Sequence, residues 1–320
     1  MATTNDGMLL EWGARLFFAM PKKGKQLRNS GGFAGPGMTA GEVRNRVRQV
    51  VSPGARQVVV KISGGGRGMA PIAAHFRYIS RQGKPEVGGK GQSLELEDEN
   101  GNKISGVAEI KDLQADWRVS GSFVEESSTR REAFNIILSM PEGTLPQHVL
   151  ASAREFARET FEGHKYVFVM HDDTDSPHVH LAVKAERRDG KRLNPRKADL
   201  QRWRELFAAR LQDRGVNAVA TRAASRGQVR APQSIWRLKT TGEIRKIRSP
   251  ERNADSVAAA RAAAIESWKN VSAALAGSAD PSDRALSMEV ARYVGEHFEQ
   301  GAVSRTVVPD IRRPGPKRSR

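Results

Sequence analysis

Hydrophobic residues recur along this chain with two different spacings, and the spacing predicts the type of each element. Short continuous apolar runs bounded by turn residues are typical of buried strands, whereas apolar residues at every third or fourth position are typical of amphipathic helices. The predicted strands are 58–62, 133–140, 166–170 and 181–183, and the helices predicted among them are 71–82, 146–161 and 195–215. This order predicts an α+β fold in which helices pack against an antiparallel sheet.

The flanking sequences differ in composition from this region, so the chain divides into three predicted parts. Residues 1–55 are basic and punctuated by glycine, which predicts a partly disordered N-terminal extension with a short helix at 40–51. Residues 56–225 form the predicted main domain, although its turn-rich segment 84–120 predicts a solvated excursion. Residues 226–320 predict a basic linker, alanine-rich helices and a disordered basic tail, together a basic helical C-terminal extension.

The charge balance of the chain indicates a polyanionic partner. There are 53 Lys and Arg against 36 Asp and Glu, a formal net charge of +17. Nucleic acid is the leading candidate and an acidic membrane surface the second. No apolar run approaches the roughly 20 residues that a membrane span needs, so a cytoplasmic protein is expected. The absence of cysteine excludes thiolate metal ligands, so any metal must be bound by His, Asp or Glu.

A histidine-rich hairpin is the strongest candidate site in the sequence. Three of the seven histidines, His171, His178 and His180, fall within ten positions, in and between two predicted strands. Alternation along a strand places His178 and His180 on one face, and the hairpin brings His171 back toward them. Converging imidazoles are typical of a divalent-metal site rather than of a solvated hairpin. The third ligand is either His171 or Asp173 in the acidic turn.

The second candidate is a tyrosine on the first helix of the main domain. Ile72, Phe76 and Ile79 are spaced to form the buried stripe of that helix. Tyr78 lies roughly 100° around the helix from Ile79, beside Arg77 and Arg81, so it is expected to stand off the core. Taken alone, Tyr78 has the position of an ordinary amphipathic tyrosine at a helix edge.

Together the two candidates suggest one class of reaction. A histidine-bound metal ion polarises a phosphodiester, the tyrosine hydroxyl attacks the phosphorus, and a covalent 5′-phosphotyrosine results. A phenol with an ordinary pKa near 10 needs help to lose its proton, which the nearby metal or a carboxylate could give, and Asp173 is the obvious candidate.

Three segments resemble the motifs of one family. Residues 171–180 resemble the H-x-D-x-x-x-P-H-x-H motif of one-tyrosine conjugative relaxases, or mobilisation nucleases, among the His-hydrophobic-His endonucleases. Residues 76–84 are similar to the segment that carries the family's nucleophilic tyrosine. Residues 137–143 resemble the motif between them, with Met140 where an aromatic residue is usual. The resemblance covers about residues 56–225.

The resemblance implies a fold, a site and a cofactor. The sheet would have five antiparallel strands with flanking helices. Mg²⁺ or Mn²⁺ would be bound by His171, His178 and His180, and Tyr78 would be the nucleophile. Ser139 would hold DNA at the nick, and Asp173 would orient a ligand or assist proton removal. The expected DNA contacts beside the nucleophile are Arg77, Arg81 and Lys84.

The resemblance also implies a biological setting. The substrate would be single-stranded or supercoiled DNA at the transfer origin of a plasmid or integrative element, nicked and later rejoined for conjugative mobilisation. The expected partners are accessory origin-binding proteins and the coupling ATPase of a type IV secretion system. The cytoplasmic protein would be translocated with the DNA into a recipient cell.

Three other functions fit parts of the sequence. A rolling-circle replication initiator or a single-strand transposase uses the same chemistry, but such proteins usually place the tyrosine after the histidines. A non-catalytic basic DNA-binding accessory protein fits the charge equally well. A histidine-metal phosphodiesterase would nick DNA without covalent attachment.

Overall fold

The structure, a computed structural model, describes residues 4–17, 39–81, 94–221, 226 and 250–299. The chain divides into two compact units, one of residues 53–220 and one that combines residues 1–52 with 221–320. The functional domain boundaries predicted after residues 55 and 225 stay predictions. Within the described ranges, no helix is both long and apolar enough to cross a membrane.

The unit of residues 53–220 is built on an antiparallel sheet, as predicted for an α+β fold. Its strands in chain order are β2 (Val59–Gly64), β3 (Leu96–Asp98), β4 (Lys103–Ile104), β5 (Ala133–Ser139), β6 (His164–His171) and β7 (His178–Arg187). They lie side by side in the order β2-β5-β7-β6-β3-β4. Two further short strands, β1 (Arg56–Gln57) and β8 (Ala218–Val219), pair in parallel as a separate ribbon.

The expectation of five strands is wrong by one in the described part of the chain, where the sheet has six. Strands β3 and β4 come from the segment predicted to be a solvated excursion. The acidic residues there gave a misleading signal, because Leu96 is buried and Glu97 is buried with a partner. The Arg154 guanidinium binds the Glu97 carboxylate at 2.5 Å, so the charge is neutralised inside the fold. A helix in the same segment was not predicted either.

Helices cover both faces of this sheet. They are α3 (Met69–Ile79), α4 (Gly106–Val119), α5 (Pro146–Thr160) and α6 (Lys197–Gln212). The amphipathic patterns of α5 and α6 bury Phe156 and Phe207 in a core on one face. On the other face, α3 and α4 pack together, with the Phe76 and Trp117 rings edge to face at 4.8 Å. The predicted helices at 71–82, 146–161 and 195–215 are confirmed with small shifts of their ends.

The other unit is helical. Its helices are α1 (Thr4–Phe17), α2 (Ala40–Val51), α7 (Pro250–Ala276) and α8 (Pro281–Val294), followed by a π-helical turn, Gly295–Glu299. They share one core that includes Leu9, Val47 and Trp268. Helix α1 was not predicted, whereas α2 was. The predicted linker beyond residue 226 and the predicted basic tail lie outside the described residues.

A buried lysine joins the sheet to the end of α4. Lys184 on β7 is 2% exposed, and its ammonium donates hydrogen bonds to the carbonyl oxygens of Trp117 (2.7 Å) and Ser120. Burial lowers the pKa of Lys184 below its ordinary value. The lysine therefore satisfies carbonyl groups that the helix end leaves without partners.

We expect Lys184→Met to lower the free energy of unfolding by about 1–3 kcal/mol, because buried carbonyl groups lose their donor. Urea unfolding followed by circular dichroism measures this change. Lys191→Met is the matched control, since the Lys191 side chain is 81% exposed and should change stability by less than about 0.5 kcal/mol. Equal unfolding midpoints for the two variants would contradict the role of Lys184.

Candidate active site

Three histidines meet where β6 ends and β7 begins. His171 is paired directly with His178 in the ladder between these strands, and His180 follows two residues later. Directly opposed residues and alternate residues share a face of a sheet, so all three imidazoles lie on the face that α3 covers. One nitrogen of each ring lies within 4.8 Å of the others, a grouping that could hold a metal ion.

Hydrogen bonds fix the orientation of two of these rings. The His171 Nε2–H group donates to the carbonyl oxygen of Ile79 at 2.8 Å, and the His178 Nδ1–H group donates to that of Ser176 at 3.0 Å. Because a carbonyl can only accept, these nitrogens carry the protons and the other nitrogen of each ring keeps its lone pair. This arrangement is typical of metal-binding histidines.

The electrostatics at two of the three rings, His171 and His180, favour the uncharged imidazole. Burial, together with the neighbouring imidazoles, lowers the pKa of His180 to about 3. Burial also lowers the pKa of His171, although the hydrogen bond to Ile79 opposes the shift. Neutral imidazole is the form that binds a metal ion, so proton competition at these two rings is weak at neutral pH.

Tyr78 lies next to this cluster at the end of α3. Its side chain is 58% exposed while Phe76 and Ile79 are buried, so the prediction that it stands off the core stripe is confirmed. The centroid of its ring is 6.0 Å from that of His180, and the rings are nearly perpendicular. An exposed hydroxyl-bearing side chain therefore stands beside three imidazoles that could hold a metal ion.

Two contacts attach the end of α3 to the histidine hairpin. One is the hydrogen bond from His171 to Ile79, the residue after the tyrosine. The other is an ion pair of 2.5 Å between Arg81 and Asp173. Arg81 has a φ of 58°, a conformation that glycine usually occupies after a helix. The backbone is therefore strained at the residue whose guanidinium contacts the hairpin.

The ion pair with Arg81 bears on two roles considered for Asp173, as the base that removes the proton and as the third metal ligand. The hydrogen bond from Arg81 holds the pKa of Asp173 below its ordinary value, which makes the carboxylate a weaker base. In the described part of the chain, the group of potential metal ligands contains His171 and not Asp173. The geometry thus favours His171 as the third ligand.

The remaining predicted site residues differ in position. Ser139 ends β5 directly opposite His178, and its hydroxyl donates to the Met140 carbonyl oxygen at 3.4 Å. Arg77 is exposed on α3 next to the tyrosine. Lys84 lies outside the described residues. The sheet ladder therefore places Ser139 beside His178, and the DNA contacts expected of Arg77 and Arg81 stay predictions.

Two residues near the site were not predicted from the sequence. His75 lies on α3 next to the rings of both Tyr78 and His180, and its spacing of three residues from Tyr78 was a usable signal. Lys61 is exposed on β2, and its partner Ile137 is in turn the partner of His180 on β7. Lys61 and His180 are two strands apart, with about 4.8 Å between neighbouring strands. The ammonium group of Lys61 therefore adds positive charge near the histidine cluster.

Part of this chain is similar in sequence to known proteins. Residues 78–216 match the family described as relaxase, MobA/VirD2-like, nuclease domain. The T-DNA border endonuclease VirD2 of Rhizobium rhizogenes is 28% identical over 144 residues, which cover 41% of this chain and 31% of that protein. The VirD2 proteins of Rhizobium radiobacter and Agrobacterium fabrum are 26% and 27% identical over the same length, covering 41% of this chain and 32% and 31% of their own.

The chain thus matches about a third of the length of these relatives. The matched region begins at Tyr78 and includes all three clustered histidines. Residues 78–216, which include Tyr78 and the three clustered histidines, therefore match the relaxase family as a nuclease domain of the MobA/VirD2-like type.

Proposed function

We propose that this chain is a DNA relaxase that nicks one strand at a transfer origin, becomes joined to the 5′ end through Tyr78, and later rejoins the strand. The observation that carries the proposal is the exposed Tyr78 ring 6.0 Å from His180 in a cluster of three potential metal ligands. Neither group alone specifies this reaction, because the tyrosine supplies a nucleophile and the cluster a place for a cation.

The proposed reaction is a transesterification. The Tyr78 oxygen forms a bond to the scissile phosphorus while the bond from phosphorus to the 3′ oxygen breaks. The phenolic proton is lost and the released 3′ oxygen gains one, so the number of phosphoester bonds is unchanged. Reversal by the 3′ hydroxyl therefore restores the strand without an external energy source.

The histidine cluster fits a divalent cofactor, for which we propose Mg²⁺ or Mn²⁺. Such an ion, bound by His171, His178 and His180, would supply positive charge beside the scissile phosphate. The residues of the chain contribute the rest. Hydrogen bonds from two of the rings to carbonyl groups keep their free nitrogens available for the ion.

The surroundings of the cluster suit a DNA strand. Arg77 and Lys61 are exposed cations near Tyr78 and His180, and Ser139 lies beside His178. We propose that these side chains contact the phosphates around the nick, with Lys84 as a further DNA contact. The net charge of +17 favours binding of single-stranded or supercoiled origin DNA.

The biological setting is part of the same proposal. The relatives are named T-DNA border endonucleases, and we infer a comparable strand-specific nick at the transfer origin of a plasmid or integrative element here. Conjugative mobilisation would then require accessory origin-binding proteins and the coupling ATPase of a type IV secretion system. The protein would act in the cytoplasm and be translocated with the strand.

The function is tested with supercoiled plasmid carrying the candidate origin, incubated with the full-length protein and Mg²⁺ or Mn²⁺. We expect nicked plasmid whose 5′ end is blocked by covalently bound protein. The nicked plasmid should appear only after protease treatment, and chelation of the metal should prevent its formation. Nicking without attachment would indicate a phosphodiesterase. A shift in mobility without nicking would indicate a DNA-binding accessory protein.

We expect Asp173→Asn to slow adduct formation by less than about tenfold, because loss of a true general base costs roughly 10²–10⁴-fold. The pair with Arg81 makes Asp173 a poor base, so we propose that it mainly anchors Arg81. Single-turnover kinetics on a single-stranded origin oligonucleotide measure the effect. If Asp173 and Arg81 act as a pair, the double variant Asp173→Asn plus Arg81→Ala should form the adduct no more slowly than Arg81→Ala alone.

A further inference from the structure

His75 lies beside both the proposed nucleophile and the histidine cluster, and its ring forms a triangle with those of Tyr78 and His180. It lies three residues before Tyr78 on α3, so the two side chains are neighbours on the helix surface. The rings of His75 and Tyr78 are stacked, with centroids 6.2 Å apart and planes at 26°. The His75 ring also meets His180 at 6.4 Å with planes at 65°.

The contacts that His75 makes with Tyr78 and His180 are ring contacts. Its Nε2 atom is buried and has no hydrogen-bond partner among the described residues. The grouping of potential metal ligands contains the three hairpin histidines and not His75. The ring of His75 therefore packs as an aromatic surface against the rings of Tyr78 and His180.

Tyr78 needs such a surface because it is largely exposed at the end of a helix. A side chain in that position is free to turn away from the cluster unless neighbouring groups restrict it. His75 is stacked on the phenol ring and His180 meets it edge on, so two rings restrict the Tyr78 side chain from two directions. A nucleophile reacts fast only when its attacking atom is held close to the reactive geometry.

We infer that His75 is a positioning residue that holds the Tyr78 ring beside His180 through aromatic packing. The inference rests on the proposed relaxase function and adds to it a residue outside the metal ligands. His75 then acts through Tyr78 and touches neither the metal ion nor the reacting phosphate. Its ring, rather than its nitrogen, is the part that matters.

The kinetic test compares His75→Ala with His75→Phe on a single-stranded origin oligonucleotide. We expect His75→Ala to lower kcat for adduct formation by about tenfold or more while KM is unchanged, because positioning is lost and DNA binding is not. His75→Phe keeps an aromatic ring and should recover most of the lost rate. His148→Ala is the matched control, since His148 lies on α5 against the opposite face of the sheet.

A second measurement does not depend on catalysis. The chain has three tyrosines, so fluorotyrosine labelling gives three ¹⁹F signals, and Tyr78→Phe identifies the one from Tyr78. We expect His75→Ala to move the ¹⁹F chemical shift of Tyr78 toward that of free fluorotyrosine. His75→Phe should leave this chemical shift close to the wild-type value. The signals of the buried Tyr166 and Tyr293 show in the same spectrum that the variant is folded.

The outcomes separate this inference from the function on which it rests. Wild-type kcat and an unmoved Tyr78 signal in His75→Ala would overturn the positioning role. A His75→Phe variant as slow as His75→Ala would show that the nitrogen matters and would also overturn it. If the wild-type protein forms no adduct, the proposed function fails, while the ¹⁹F comparison still decides whether His75 holds Tyr78.

Discussion

Replacement of Tyr78 by phenylalanine is expected to abolish the covalent protein–DNA adduct. The variant lacks the attacking oxygen but keeps the ring that contacts His75 and His180, so the site should remain assembled. We expect the rate of adduct formation to fall by more than about a thousandfold, as for loss of a covalent nucleophile. A labelled single-stranded origin oligonucleotide, resolved by denaturing electrophoresis, measures the adduct.

The other two tyrosines of the chain supply matched controls. Tyr166 and Tyr293 are both buried, and burial raises the pKa of Tyr293 to about 12. Neither can reach a phosphodiester, so Tyr166→Phe and Tyr293→Phe should form the adduct as the wild type does. The proposal also implies one covalent transfer per monomer. An adduct that persists in Tyr78→Phe, or two phosphotyrosines on one chain, would contradict it.

The local parts of this site could be predicted from the sequence because they depend on short-range geometry. The repeat of a helix places Tyr78 beside the stripe of Phe76 and Ile79, and strand alternation places His178 and His180 on one face. Both features are observed. The strands predicted at 166–170 and 181–183 were nevertheless too short. The observed strand β6 continues to His171, and β7 begins at His178.

The contacts between distant segments could not be predicted in the same way. The hydrogen bond from His171 to Ile79 and the ion pair of Arg81 with Asp173 join residues about ninety positions apart. No spacing in the sequence indicates them, since each depends on how α3 packs on the sheet. They change the interpretation of Asp173 from a base to an anchor.

Burial of charge explains the largest error in the predicted fold. Glu97 lies in an acidic run that is typical of a solvated loop, yet it is part of β3. Burial by itself would raise the pKa of Glu97, but hydrogen bonds from Arg154 and Lys103 hold it below its ordinary value. The carboxylate is therefore tolerated inside because its partners come from α5 and β4, which the composition of the run does not reveal.

Removal of two histidines from the cluster is expected to eliminate metal binding. The variant carrying His178→Ala and His180→Ala keeps one of three potential ligands, so we expect the affinity for Mn²⁺ to fall by more than about a hundredfold. Isothermal titration of the metal-free protein with Mn²⁺ measures the affinity, and plasmid nicking should fall in parallel. The His148→Ala variant should bind Mn²⁺ as the wild type does. Wild-type affinity and nicking in the double variant would exclude the cluster as the metal site.

The same titration decides between His171 and Asp173 as third ligand. His171 lies in the cluster with a protonated Nε2 and a free Nδ1, whereas Asp173 is held by Arg81. We therefore expect His171→Ala to weaken Mn²⁺ binding severely and Asp173→Asn to leave it nearly unchanged. Since His171→Ala also removes the hydrogen bond to Ile79, His171→Gln serves as the second variant, because its amide can still donate to that carbonyl. Loss of affinity in both His171 variants assigns the ligand, and loss in Asp173→Asn alone would assign it to the carboxylate instead.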